Sequence, residues 1–364
     1  MKGHALLPLA AVLLILGAPV TAAQAGQAAN LPSLKDVYAD YFDFGSALSS
    51  AELRNADRLP LYLSQYSIIT PENELKPENV LDLYNSAKVS AENQGSVALH
   101  FSTVKPLLEF AKANGLKVHG HVLFWHSQTP DEFFRESYSR SKPYVSRDVM
   151  LERMENYVRL TMEYMAENYP GLIVSWDVVN EAIDDETGKY RDSNFTRIVG
   201  SDFVLQAFRF ARKYAPADTL LFYNDYSTPY QPKLNGILKL LSALQEENLV
   251  DGHGLQCHYQ LNTPTISQIK QALQKITEMG LLVRVSEMDI LVDEPTDAQF
   301  NLQAKRYEEI MKALLSYADS VVAVQTWGTF DGSSWKSDHY PLLFQSDGTP
   351  KPAFYALTNS SILP

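Results

Sequence analysis

Eight short runs of apolar and β-branched residues recur along the chain. They are FDFGSALS (42–49), YSIITPEN (66–73), KVHGHVLFW (117–125), IVSWDVVNE (173–181), LLFYNDY (220–226), HGLQCHY (253–259), LLVRVSEMDI (281–290) and VVAVQTWG (321–328). Between most of them lie stretches whose apolar residues are spaced three and four apart, at 104–115, 149–169, 203–214 and 298–318. That spacing predicts helices. Several of these stretches stop at Asn-Gly, Met-Gly or before a proline, as helices tend to. Strands alternating with helices imply a parallel sheet, and eight repeats over about 300 residues suit a closed (β/α)8 TIM barrel better than an open doubly wound sheet.

The polar residues fall unevenly on this pattern. Runs two to eight finish in Glu-Asn, Trp-His, Asn-Glu, Asn-Asp-Tyr, Gln-Cys-His, Glu-Met-Asp and Trp-Gly, each at the C-terminal end. Barrel enzymes keep their active sites at that end.

Composition narrows the class of protein. The 364 residues are 45% hydrophobic and 20% charged, ample for a large buried core. Lys2, the apolar run from Ala5 to Val20 and the small residues ending Ala23-Gln24-Ala25 have the layout of a secretory signal, with cleavage expected after Ala25. The run is short for a membrane span and lacks a basic flank, so the mature chain is expected to be exported and free of the membrane. Residues 26–364 show no linker, charge block or short repeat, which predicts one catalytic domain. Lys2 is the only Lys, Arg, Asp or Glu of the first 25 residues, so its removal takes the formal charge from −12 to −13. Such an acidic protein repels nucleic acid and anionic surfaces and favours a neutral or cationic partner. Cys257 is the only cysteine, which excludes an internal disulfide. Inside the sixth strand it reads as a small buried apolar residue.

Glu181 ends the fourth run and Glu287 lies near the end of the seventh. Barrel closure is expected to bring them to one rim, facing each other across a mouth lined with tryptophan and amides. Two carboxylates so placed are the equipment for glycosidic hydrolysis, one protonated to donate to the departing oxygen and one ionised to attack. Asn180 and Glu181 alternate faces in a regular strand, so both reach one cavity only where the strand breaks or bulges. On the seventh strand, alternation places Val283, Val285, Glu287 and Asp289 on one face. His258, on the adjacent strand, is expected to sit between Glu287 and Asp289, keep Glu287 ionised and leave Glu181 as the acid of raised pKa.

The stretches TPENELK, GHVLFWHSQTP, WDVVNEAIDD, YNDYS, LQCHY, VSEMDI and TWGTFDGSSW, over about Leu34 to Leu357, resemble the family 10 glycoside hydrolases, chiefly endo-β-1,4-xylanases. The resemblance implies that Glu181 is the acid/base and Glu287 the nucleophile of a double displacement with retained configuration. It implies that Asn180 bonds the 2-hydroxyl of the attacked sugar, that His258 and Asp289 orient the nucleophile, and that Gln256 is a neighbouring amide. His121, Trp125, His126 and Gln128 are similar to subsite residues of the third strand. Glu72, Asn73 and Lys76 are similar to the set that grips the next sugar, and Asn224 follows the fifth-strand pattern. Trp327 and Trp335 resemble the tryptophans that floor and cover the cleaved sugar. Pro77 stands where many relatives have tryptophan, and residues 85–100 depart from the usual turn.

The expected partners are therefore xylan and xylo-oligosaccharides, acted on by a protein able to work as a monomer without cofactor or metal. Three other readings compete. His119 and His121 face the same way on one strand and would form a metal pair if His258 and Asp331 joined them. A non-catalytic glycan-binding barrel would hold glycans on the aromatic residues and use the acids only to hydrogen-bond hydroxyls. A related barrel glycosidase would act on cellulose or mannan, whereas Glu72-Asn73-Lys76 and WHSQ favour xylan.

Overall fold

The first five apolar runs fold as strands β1 (Asp43–Leu48), β2 (Ile68–Pro71), β3 (Lys117–Trp125), β4 (Ile173–Asn180) and β5 (Leu220–Asp225). The sixth divides into β6 (Gly252–Leu255) and β7 (His258–Gln260), and the last two are β8 (Leu282–Leu291) and β9 (Val321–Thr326). Neighbouring strands pair in parallel, and the β9–β1 and β6–β8 pairings close the sheet into a (β/α)8 TIM barrel. The computed structural model describes residues 31–364, so the expected secretory signal lies outside the described residues. No helix among the described residues is long and apolar enough to cross a membrane.

The principal helices are α1 (Leu59–Gln65), α2 (Lys105–Asn114), α3 (Arg147–Asn168), α4 (Phe203–Tyr214), α5 (Lys233–Gln245), α6 (Ile266–Glu278), α7 (Asp297–Leu315) and α8 (Pro352–Thr358). Their apolar stripes face the sheet. In α4, Phe203, Val204, Ala207, Phe208 and Ala211 are buried, the three-and-four spacing that gives one face to the core. Thr265 and Gln268 form a capping box that starts α6, and Gly115, at φ 67, ends α2 in the left-handed conformation glycine tolerates. Gly120 makes room in β3 for the buried Trp176 of β4, whose ring would lie 2.3 Å from any Cβ there.

Two local expectations fail, both through backbone irregularity. Cys257 is buried as expected but lies between β6 and β7, at φ 63, and not inside a strand. On β8, Val285 pairs with Val324 but Met288 pairs with Thr326, so one extra residue is inserted there. Such a bulge resets which way side chains point. Arg284 Nη1 donates to Ser175 at 3.4 Å and Ser286 Oγ to Asn224 at 2.7 Å, while Val283 and Val285 join the hydrophobic cluster. The predicted common face of Val283, Val285, Glu287 and Asp289 is therefore not formed; the bulge brings Glu287 round to the polar side.

Candidate active site

Strand β4 stops at Asn180, and Glu181 follows with φ 56, outside strand geometry. That break lets consecutive residues serve one cavity. Trp125, His126, Asn180, Glu181 and Arg191 line a small recess at the cleft wall, backed by Phe124, Phe195 and Phe203. The Glu181 carboxylate accepts from Trp125 Nε1 at 2.9 Å, Gln256 Nε2 at 3.0 Å and Asn180 Nδ2 at 3.3 Å.

Glu287 stands beside it in a different environment. It is 5% exposed, and its carboxylate accepts from Asn224 Nδ2 at 2.8 Å and meets His258 Nε2 at 3.2 Å. His258 Nδ1 lies 2.9 Å from Asp289, which also accepts the Trp335 indole N–H at 2.8 Å. Burial works against a charge on His258, but Asp289 and Glu287 outweigh it and push the imidazole up to about 10. Burial likewise opposes charge on Glu287, yet the His258 hydrogen bond and the field of His121 hold its carboxyl below the usual range. The two acids share one amide network, because Asn180 Oδ1 accepts from both Asn224 and Gln256 at 3.1 Å. Gly254 leaves the space for Asn224, whose Oδ1 would be 2.2 Å from a Cβ on that residue.

The floor of the site is cationic and aromatic. Lys76 Nζ donates to Asn73 at 2.8 Å and Gln128 at 2.9 Å, and lies 5.1 Å from the Trp125 ring centroid and 5.8 Å from that of Trp327. Burial lowers its pKa, against the pull of Glu287 and Glu72. His121 contacts Asp177 at 2.9 Å and packs edge-on to Trp327 at 5.3 Å. Glu72 is half-buried beside Lys76, and burial, then the charge of Glu52, pushes it up to about 7. Trp335 is 53% exposed and meets the His258 ring at 5.0 Å, so it stands at the rim, whereas Trp327 is buried.

Residues 33–360 match the family model described as "Glycosyl hydrolase family 10". The chain belongs to glycoside hydrolase family 10. It is 37% identical over 340 residues to "Endo-1,4-beta-xylanase B" of Butyrivibrio fibrisolvens, covering 91% of this chain and 53% of that protein. It is 33% identical over 345 residues to "Endo-1,4-beta-xylanase A" of Caldicellulosiruptor saccharolyticus, covering 89% of this chain and 95% of that one. The family 10 chain thus spans about half or less of several curated relatives it matches. A crystal structure of the Clostridium thermocellum Xyn10B CBM22-1 and GH10 modules complexed with xylohexaose superposes with a TM-score of 0.84 at 33% identity. That match covers 91% of this chain and 68% of the other.

Within this family 10 barrel the fold brings together the residues singled out by sequence, with some changes of place. Asn224 is fully buried, and its amide is spent on Asn180, Glu287 and Ser286, so it lies beneath the acids and not against a sugar. Gln256, 3% exposed, likewise gives its amide protons to Asn180 and Glu181. His126 is exposed beside Trp125 on the cleft wall. The four residues of the metal reading do not converge. His119 and His121 both meet Asp177 at 2.9 Å, His258 is held by the acids, and Asp331 pairs with Lys351 at 3.0 Å. Among the described residues no group of three or more His, Cys, Asp or Glu is arranged to hold a metal.

Sequence reasoning missed Asp177, Tyr223, Asp225, Lys233 and Arg191. An acid in the middle of the apolar SWDVV run is the available signal for Asp177, and the acid in YNDY is the signal for Asp225.

Proposed function

We propose that this protein is a secreted endo-β-1,4-xylanase that hydrolyses internal β-1,4-xylosidic bonds of xylan by a retaining double displacement. The observation that carries the reading is the unlike pair of acids on one amide network. Glu287 is held in its charged form by His258, while Glu181 sits at the cleft wall against Trp125. In the first step a Glu287 oxygen attacks the anomeric carbon while Glu181 gives its proton to the departing oxygen. In the second, Glu181 takes a proton from water as that water attacks the same carbon and frees Glu287. Asn180 is assigned the 2-hydroxyl of the attacked sugar, and Trp327 and Trp335 its faces. Glu72, Asn73, Lys76, His121 and Gln128 are assigned to sugars on the non-reducing side.

The names of the Butyrivibrio and Caldicellulosiruptor relatives support xylan over cellulose or mannan. The pattern of Lys2 to Ala25 supports export, and N-terminal sequencing of protein recovered from the medium tests it, with a first residue near Gly26 expected. Reducing sugar released from soluble xylan tests the activity. Turnover by the native protein, none by Glu287→Ala, and none on cellulose or mannan are expected. A protein that holds xylan but releases nothing would be a glycan-binding barrel.

A further inference from the structure

We infer that Tyr223, gripped by Asp225 and Lys233, is a positioning residue that sets the aim of the Glu181 carboxyl; this rests on the reading of Glu181 as the proton donor. Glu181 is not glycine yet holds φ 56, a left-handed conformation that persists only where neighbouring contacts over-determine it. The contacts that do so are all present. The Glu181 N–H donates to Asn224 O at 2.9 Å, and its carbonyl accepts from Arg191 Nε at 3.1 Å. The next two amides, of Ala182 and Ile183, donate to the Tyr223 hydroxyl at 2.9 and 3.1 Å.

A phenol oxygen has two lone pairs and one proton. Both lone pairs are taken by those amides, so the proton must leave in a third direction, and Asp225 Oδ2 receives it. The other carboxylate oxygen of Asp225 lies 2.7 Å from Lys233 Nζ and accepts the Tyr226 N–H at 3.0 Å. Lys233 also reaches Asp185, four positions past Glu181, and so ties a second point of the same loop. Tyr223, Asp225 and Lys233 are all fully buried. Water cannot replace the lost bond of any one of them without entering the core. A phenylalanine at 223 would fill the same space but free both amides and leave residue 181 to relax. Small displacements of a proton donor are costly to turnover, because transfer requires hydrogen-bond reach to the departing oxygen.

A purely structural role and a positioning role differ in leaving-group dependence. The test compares kcat/KM, which reports the first step, across aryl β-xylobiosides of graded leaving-group acidity for native protein, Tyr223→Phe and Glu181→Ala. Tyr223→Phe is expected to lose about tenfold or more on poor leaving groups and on xylo-oligosaccharides, part of the 10²–10⁴ available from general acid catalysis. On dinitrophenyl β-xylobioside, whose leaving group needs no proton, it is expected to stay within about twofold. Asp225→Asn keeps the tyrosine and is expected to show the same pattern at smaller size; it carries the test if Tyr223→Phe fails to fold by circular dichroism. A uniform loss across leaving groups, or none, with Glu181→Ala discriminating as expected, overturns the positioning role alone. A Glu181→Ala variant that loses all substrates equally overturns the proton-donor reading, and the role of Tyr223 with it.

Discussion

His258 Nε2 lies 3.2 Å from Glu287 Oε2, so the buried acid faces an imidazolium that neighbouring carboxylates hold charged up to about pH 10. Removing that charge while keeping a donor, as in His258→Gln, withdraws one of the influences that lower the Glu287 pKa. The group titrating on the acidic limb of kcat/KM is the one that must be ionised in the free protein. The expected outcome is therefore an upward move of that limb by about one unit or more. An unmoved limb would mean that His258 does not set the charge of Glu287.

The same imidazole bears on stability. Its pKa is raised in the folded state, so its contribution is fully present below the unfolded value of 6.5 and is lost as pH rises through about 10. His258→Gln is expected to lower Tm at pH 6 and to cost progressively less as pH climbs toward 10. Urea unfolding at the two ends of that range checks the trend.

Glu72 has the opposite character. Its folded pKa of about 7 exceeds the ordinary 4.5, so stability falls as pH rises between those values. Glu72→Gln removes the charge and is expected to raise Tm by roughly 2 °C at pH 8 and by almost nothing at pH 4. Equal effects at both pH values would show that the carboxylate is not strained by its burial and by Glu52.

Asp331 and Lys351 form a buried pair that fastens the segment bearing Trp335. Lys351 Nζ also donates to Tyr340 O at 2.6 Å, and Asp331 accepts the Leu342 N–H at 2.8 Å. Asp331→Ala leaves a buried ammonium without its partner, an expected loss of about 3–5 kcal/mol in urea unfolding. Replacing both with apolar residues of similar volume is expected to cost less than the single change. A single change that is neutral would contradict the pairing.

The barrel could be read from the sequence because eight apolar runs recur with helical spacing between most of them, and because acids and amides gather at one end of those runs. Glu181 and Glu287 were legible for that reason. What stayed hidden depends on backbone irregularity and on depth. The extra residue between Val285 and Met288 has no mark in VSEMDI, so the direction of Arg284 and Ser286 could not be read from alternation. Cys257 turns the chain at φ 63 without a glycine to announce it. Asn224 matches a site pattern, yet nothing in YNDYS tells that its amide is used up beneath Glu287. The Tyr223 hydroxyl reaches amides 40 and 41 positions away, a contact that the parallel pairing of β4 with β5 creates.

The most direct test of the double displacement is to trap its intermediate. A xylobioside fluorinated beside the anomeric carbon and bearing an activated leaving group slows both steps, the second more than the first, so the glycosylated protein accumulates. Intact mass spectrometry is expected to show the gain of one fluoroxylobiosyl group, and peptide mapping to place it on Glu287. A protein that turns over xylan yet gains no such mass, or carries the sugar on Glu181 or elsewhere, would contradict the account.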